Sequence, residues 1–389
     1  MNSPAQQPDY RYIDDDAGLA RFCSALDEAS YCAIDTEFVR ESTYYPELAL
    51  IQIAGGDLLG CVDPLAITDF APLADLLVRQ DLIKIFHSSS QDLEILYQKF
   101  GQVPAPVFDT QLAAAVLGYS HQISYADLVL QITGVQLEKK YTRANWIRRP
   151  LSQEELDYAM DDVRYLVAVY HELDSRLEST RRRSWIERDL QAMSNADNYE
   201  VDQARLWQRL RGVQKLKGER LQIASELCRW REQLAQQQNR PRRWIVKDDV
   251  IVELARHKPA SLEALAKIPG LSDKTVKRHG EKILKVIAEA SRVDAAQWPQ
   301  HDSIKNLNSR QMALGDCLMA LCRMISDNNS IALATLATRK DIDNLILNQK
   351  SSRLAQGWRF AMAGEQLLEF IHGQSAISVE DQVLKLDSK

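Results

Sequence analysis

Three short apolar runs, at residues 32–38, 48–54 and 59–62, are separated by turn-prone stretches such as Gly55, Gly56 and Asp57, and predict successive strands of an antiparallel meander. Beyond them the pattern changes to strands alternating with helices. Asp69 is placed to cap a helix reaching Arg79, residues 83–87 read as a buried strand, and Ser90 is placed to cap a helix carrying Leu93, Ile95, Leu96 and Tyr97. Ser124 with Asp127 predicts a capped helix ending near Gly134, and Ser152 with Glu155 predicts a long one running to about Glu178. The expected fold of this first part is α/β, a mixed sheet flanked by helices. The second half reads as all-helical. It contains an internal echo, in which residues 244–249 and 262–265 are matched distantly by residues 331–335 and 342–345, so two related helical modules are expected. The expected domains are residues 1–200, 203–292 and 303–385.

Composition narrows the class. With 389 residues, 45% of them hydrophobic and 26% charged, the chain has a globular balance and room for two or three domains. No apolar stretch approaches the roughly 20 residues needed to span a bilayer, and the first residues lack the basic and apolar regions of a signal peptide, so a cytoplasmic location is expected. The six cysteines include no Cys-x-x-Cys pair, which argues against structural zinc and a disulfide framework. The formal net charge of −6 hides a division: residues 206–290 hold 19 Lys and Arg against 10 Asp and Glu, a net +9, so the remainder carries −15. A basic module on an acidic body suits a protein that grips phosphates with one part and gathers cations with another.

Candidate chemistry sits in the acidic part. Asp35 and Glu37 lie two apart on the first strand and project to one face, with Thr36 pointing away. Two anions held that close raise each other's pKa unless a cation lies between them. Asp92 falls in the first turn of the helix after the 83–87 strand, where strands give way to helices and ligands tend to collect. On the long helix, Tyr158 and Asp162 are four apart and share a face. At about 100° per residue, Asp161 lies opposite the apolar stripe and Asp162 at its border, so Asp162 is the acid able to face a cleft. Asp109 reads as a helix cap and His87 as a satisfied strand-end histidine. Residues 138–150 bring five basic side chains, among them Lys139, Lys140, Arg143 and Arg148, together with Tyr141 and Trp146. Basic and aromatic side chains interleaved in this way suit single-stranded nucleic acid.

The conjunction of Asp35-x-Glu37, Asp92 and Tyr158-x-x-x-Asp162 resembles the three motifs of the DEDD family of 3′-to-5′ exonucleases, and the tyrosine points to its DEDDy subclass. The resemblance covers roughly residues 10–177 and implies a ribonuclease H-like fold. Over roughly residues 203–290 the chain resembles a helicase and RNase D C-terminal (HRDC) domain. Its clearest fragment, residues 268–280, is a turn followed by a Ser272-capped helix start, where free N–H groups with Lys274, Lys277 and Arg278 offer a phosphate seat. The second module, about 304–384, is a divergent version with fewer basic residues. A DEDDy nuclease domain followed by two such modules resembles the ribonuclease D family.

That resemblance implies an enzyme, an exoribonuclease working with two divalent metal ions, Mg²⁺ or Mn²⁺. Asp35 bridges them, Glu37 and Asp162 hold one, and Asp92 holds the second through water, while Tyr158 orients the attacking water. The implied substrate is RNA, notably 3′ trailers of tRNA precursors, with nucleoside 5′-monophosphates released by a monomer that has no membrane partner. Two alternatives stay open from the residues themselves: a DNA-directed exonuclease with the same metal chemistry, and a silent RNA-binding scaffold.

Overall fold

A computed structural model describes residues 9–138, 140–141, 144–301 and 306–388. The chain forms two compact units, one from residues 1–37, 48–198 and 305–389, the other from residues 38–47 and 199–304.

In the first unit the strands are β1 (Arg11–Ile13), β2 (Tyr31–Val39), β3 (Glu47–Gly55), β4 (Leu58–Val62), β5 (Ile83–Phe86) and β6 (Val107–Asp109), ordered β1-β4-β3-β2-β5-β6 in one sheet. β3 and β4 form the expected antiparallel hairpin, whereas β1, β5 and β6 pair in parallel with β4, β2 and β5. The helices are α1 (Asp16–Ser24), α2 (Ala71–Val78), α3 (Ser90–Phe100), α4 (Thr110–Val116), α5 (Tyr125–Thr133), α6 (Gln153–Arg164), α7 (Leu166–Ser179) and α8 (Arg183–Met193). Ala33, Leu50, Ile85 and Phe108 from the sheet close a core with Ala113, Val163, Val169 and Leu173 from the helices. The helix expected from Ser152 to about Glu178 is two helices, α6 and α7, meeting at Tyr165. Its capping box is present: Ser152 Oγ accepts from the Glu155 N–H, and the Glu155 carboxylate accepts from the Ser152 N–H at 2.8 Å. Gly134 ends α5 at φ 76°, a conformation that disfavours side chains with a Cβ.

Residues 306–388 complete this unit with α14 (Ser309–Asn328), α15 (Leu333–Leu336) and α16 (Arg339–Ile346), which follow the long-short-short order that opens the second unit. They pack on the nuclease portion: Trp185 stacks on Trp358 with ring centroids 4.6 Å apart, and Arg182 donates to the Asn329 carbonyl at 2.7 Å. The helical reading needs one correction. After helix Glu365–Ile371 the chain forms a two-stranded hairpin, Ser375–Glu380 with Val383–Ser388, turning through Asp381 and Gln382 at φ 50° and 64°. Period-two alternation through Ile377, Val379, Leu384 and Leu386 with a two-residue turn explains it.

The second unit is helical: α9 (Glu219–Gln237), α10 (Arg242–Ile245), α11 (Asp248–His257), α12 (Leu262–Leu265) and α13 (Asp273–Ala290) surround a core that includes Leu227, Ile251, Leu254 and Ile283. Tyr44 from the segment 38–47 packs against this core, and its hydroxyl donates to the buried Glu232 carboxylate.

Candidate metal centre

β5 pairs only with the first part of β2, Tyr31 to Ala33, so Asp35 and Glu37 project beyond the end of that ladder. This is the carboxyl end of two parallel strands, and α3 starts there, four residues after Phe86. Strand periodicity puts Asp35 and Glu37 on one face. Helix periodicity on α6 brings up Asp162, and oxygens of Asp35, Glu37 and Asp162 lie within 4.8 Å of one another. Asp161 turns away and pairs with Arg164 at 2.8 Å.

Asp92 is placed differently. It is 8% exposed, and its carboxylate accepts a 2.5 Å hydrogen bond from the hydroxyl of Thr36, the residue between the two strand acids. The turn that carries it is held by Asp109, which accepts from the Ser89 N–H and hydroxyl, both at 2.8 Å, and from the Gln111 N–H at 2.9 Å. Asp109 therefore caps α4 and also clamps the β5–α3 turn, where Ser88 adopts φ 60°. His87 is engaged at both ring nitrogens, by Thr110 Oγ1 at 2.9 Å and the Ile123 carbonyl at 3.1 Å.

The electrostatics are those of crowded anions. Burial, then the charges of Asp92, Asp162 and Glu37, pushes Asp35 well above the usual carboxylate range. Burial and the charges of Asp162 and Asp92 raise Glu37 to about 8. Asp162 is pushed up to about 7, by burial first and then by Asp161 and Asp92. Asp92 is pushed up to about 6 by burial, opposed by the Thr36 hydrogen bond. An all-carboxylate donor set suits hard divalent cations, and a cation there would relieve the repulsion that raises these groups.

Tyr158 lies one helical turn before Asp162. Its ring is gripped between Trp146, stacked at 6.3 Å, and Tyr141, edge-on at 5.8 Å. Burial, then Asp162, Glu37 and Asp35, raises its hydroxyl to about 12, so it remains a hydrogen-bond donor at neutral pH.

Tyr125 on α5 was not anticipated. Its hydroxyl donates to the Asp161 carbonyl at 2.9 Å, fixing the peptide that leads into Asp162, and no local pattern announces a contact across 36 residues. Tyr125→Phe is expected to loosen Asp162 and raise the divalent-ion concentration for half-maximal activity several-fold, in line with about 1 kcal/mol for one lost hydrogen bond. A metal titration of the rate checks this, and an unchanged midpoint would remove Tyr125 from the centre.

The basic candidates divide. Trp146 is corrected: it is 3% exposed and belongs to the core, so its ring has no free face on which to stack a base. Arg148 donates to both oxygens of Glu155 at 3.0 and 2.9 Å, and Lys140 pairs with Glu138 while remaining exposed. Lys139 and Arg143 lie outside the described residues. On α13, Ser272 caps the helix by accepting from the Thr275 N–H, and Lys274, Lys277 and Arg278 are exposed.

A family model described as 3′-5′ exonuclease matches residues 10–178, and an HRDC domain model matches residues 220–287. A ribonuclease D of Sphingobium indicum is 35% identical over 380 residues, covering 96% of this chain and 97% of that one. The chain belongs to the ribonuclease D family. A second ribonuclease D, from Granulibacter bethesdensis, is 35% identical over 389 residues, covering 99% of this chain and 98% of its own. Among solved structures, Escherichia coli RNase D, described as an exoribonuclease involved in structured RNA processing, superimposes with a TM-score of 0.83 at 29% identity, covering 94% of this chain and 99% of its own. The acidic centre of this ribonuclease D family member thus sits in the part of the chain that matches the exonuclease model, and the exposed cations of α13 in the part that matches HRDC.

Proposed function

We propose that this protein removes nucleotides one at a time from the 3′ end of RNA, trimming 3′ trailers of tRNA precursors and other structured RNAs and releasing nucleoside 5′-monophosphates. The observation that carries the reading is the cradle of Asp35, Glu37 and Asp162, with oxygens within 4.8 Å of one another and Tyr158 one turn from Asp162. In this reading Asp35 would be shared between two divalent cations, Mg²⁺ or Mn²⁺, Glu37 and Asp162 would help hold one of them, and Asp92, restrained by Thr36, would help hold the other. Two such ions, when bound, lower the pKa of the attacking water and stabilise attacking and leaving oxygens at phosphorus. Tyr158 keeps its proton and donates it in a hydrogen bond that orients the water. Lys140, Arg148, Lys274, Lys277 and Arg278 contact phosphates of the RNA body. The domain division in this reading is residues 1–200 for the nuclease, 203–292 for the RNA-holding module and 303–385 for the divergent one. Every residue invoked belongs to one chain, so a monomer suffices, and a cytoplasmic location is part of the same proposal; no helix among the described residues is long and apolar enough to cross a membrane.

The reading is tested by incubating a defined RNA with Mg²⁺ or Mn²⁺ and identifying the released product. Nucleoside 5′-monophosphates that disappear on chelation are expected; 3′-monophosphates, or release unaffected by chelation, would refute it.

The raised carboxylates also set a pH dependence. A folded-state pKa above the unfolded value stabilises at low pH, and that stabilisation is lost as pH rises through the folded value. Without metal, the melting temperature is therefore expected to fall from about pH 4, where unfolded carboxylates lose their protons, up to about 8, the highest of the values for Asp92, Asp162 and Glu37. Added Mn²⁺ should restore it increasingly as pH rises, because the cation requires the deprotonated acids. Thermal melts across that window check this, and a metal-induced shift that shrinks with pH would contradict it.

A further inference from the structure

The grip on the β5–α3 turn is wider than the cap of α4 requires. β6 pairs in parallel with β5, with Asp109 opposite Phe86, so the residues that leave β5 run beside Asp109 and Thr110. Asp109 is 3% exposed and accepts five hydrogen bonds, of which two, from the Gln111 and Leu112 N–H groups, belong to α4. The other three come from the neighbouring turn, from the Ser88 N–H at 3.3 Å and from the Ser89 N–H and hydroxyl at 2.8 Å each. Thr110 is fully buried; its hydroxyl donates to the Phe86 carbonyl at 3.1 Å and lies 2.9 Å from His87 Nδ1. Every residue from Phe86 to Ser89 is therefore held by one of two adjacent side chains.

That hold passes to Asp92. Ser89 stands at the cap position of α3, yet its hydroxyl makes no bond to that helix and is given to Asp109 instead. Its carbonyl accepts from the Leu93 N–H at 2.9 Å, and Leu93 follows Asp92. The opening bond of α3 thus starts from a residue tied to Asp109, while the Asp92 carboxylate is tied from the sheet by the Thr36 hydroxyl. Ser88, at φ 60°, takes a left-handed conformation that a residue with a Cβ keeps only where its surroundings fix it. Asp109 and Thr110 lie outside the cluster of Asp35, Glu37 and Asp162, so their effect on the centre runs through the backbone that carries Asp92.

We infer that Asp109 and Thr110 are positioning residues for Asp92, setting the affinity of the cation that Asp92 serves and leaving the other cation unaffected. The inference rests on the two-cation reading of the carboxylate cradle.

The test uses the full chain and changes one contact at a time. Asparagine caps helices as well as aspartate does, but its amide offers one acceptor oxygen where Asp109 uses two, so Asp109→Asn keeps α4 capped and gives up the turn. Thr110→Val keeps the shape and alters no charge while removing the hydroxyl, and Thr110→Ser keeps the hydroxyl. Mn²⁺ binding is followed by calorimetry, with Asp92→Asn marking which ion belongs to Asp92, and amide exchange of residues 86–93 is followed in chelator. In Asp109→Asn and Thr110→Val, the ion that Asp92→Asn weakens is expected to bind about ten-fold more weakly, the low end for partners that orient a metal ligand, and the other ion to stay within about two-fold. The turn amides should exchange faster in both variants, and Thr110→Ser should behave as the parent. Parent-like binding of both ions, or an equal weakening of both such as general loosening would give, overturns the assignment; should Asp109→Asn fail to fold, the two Thr110 variants decide it. Mn²⁺ binding that Asp92→Asn leaves unaltered sinks the two-cation reading itself, whereas a weakened Asp92→Asn beside unaltered Asp109→Asn and Thr110→Val sinks the positioning role alone.

Discussion

Asp35→Asn is expected to lower the hydrolytic rate by at least about 10³-fold while leaving RNA affinity within about two-fold, the loss of roughly 4 kcal/mol of transition-state stabilisation. In the proposed reading Asp35 is the acid shared by both cations, and its carboxylate lies among the others, with an oxygen within 4.8 Å of oxygens of Glu37 and Asp162. An amide has the same shape but carries no charge, so it weakens every cation held there at once, whereas loss of Glu37 removes a ligand from one edge. The same substitution has an opposite effect on the fold. Without metal, Asp35 is a buried acid among acids, and replacing it with a neutral group removes repulsion, so the metal-free variant is expected to melt at a higher temperature than the parent at alkaline pH. Kinetics in Mg²⁺ and melts in chelator read the two effects separately. A variant that is inactive and also less stable in chelator would indicate structural damage instead of a lost metal ligand.

Tyr158→Phe is expected to slow the chemical step by about 10²-fold, in the range for loss of a positioned proton donor or acceptor, with the metal midpoint unchanged. The ring stays gripped between Trp146 and Tyr141, so only the hydroxyl is lost. Burial and the neighbouring carboxylates raise that hydroxyl to about 12, and the role proposed for it is orientation of the attacking water. Single-turnover rates at saturating metal provide the measurement. An unchanged rate would remove Tyr158 from the mechanism, and a shifted metal midpoint would make it a support for Asp162.

How far the site could be read from sequence depended on the range of each contact. Asp35 and Glu37 are paired by strand periodicity alone, and Asp162 is separated from Asp161 by the 100° step of a helix, so local rules sufficed for those choices. What placed Asp92 is the Thr36 hydroxyl 56 positions away, and what steadies Asp162 is Tyr125 across 36 residues; no periodicity encodes either. The same limit explains Trp146. Its basic neighbours are consistent with exposure, but burial is decided by Tyr158 and the rest of the core it meets, twelve residues on and further. Arg149, from the same basic stretch, is likewise structural: it pairs with Asp63 and donates to the Ala49 carbonyl at 2.7 Å. Strand β1, three residues long and paired in parallel with β4, was too short to leave a pattern. The C-terminal hairpin, by contrast, was legible in its alternation and its two-residue turn, and was obscured only by the helical run before it.

Removal of nucleotides from the 3′ end of RNA by the carboxylate cradle with divalent cations is tested most directly by a time course on one RNA and one DNA of the same sequence, each labelled at the 5′ end, with Mg²⁺ and with chelator. A descending ladder of labelled fragments is expected from the RNA in Mg²⁺, none in chelator, and little shortening of the DNA. Immediate release of the labelled 5′ nucleotide, a ladder that persists in chelator, or a DNA ladder as fast as that from RNA would contradict it.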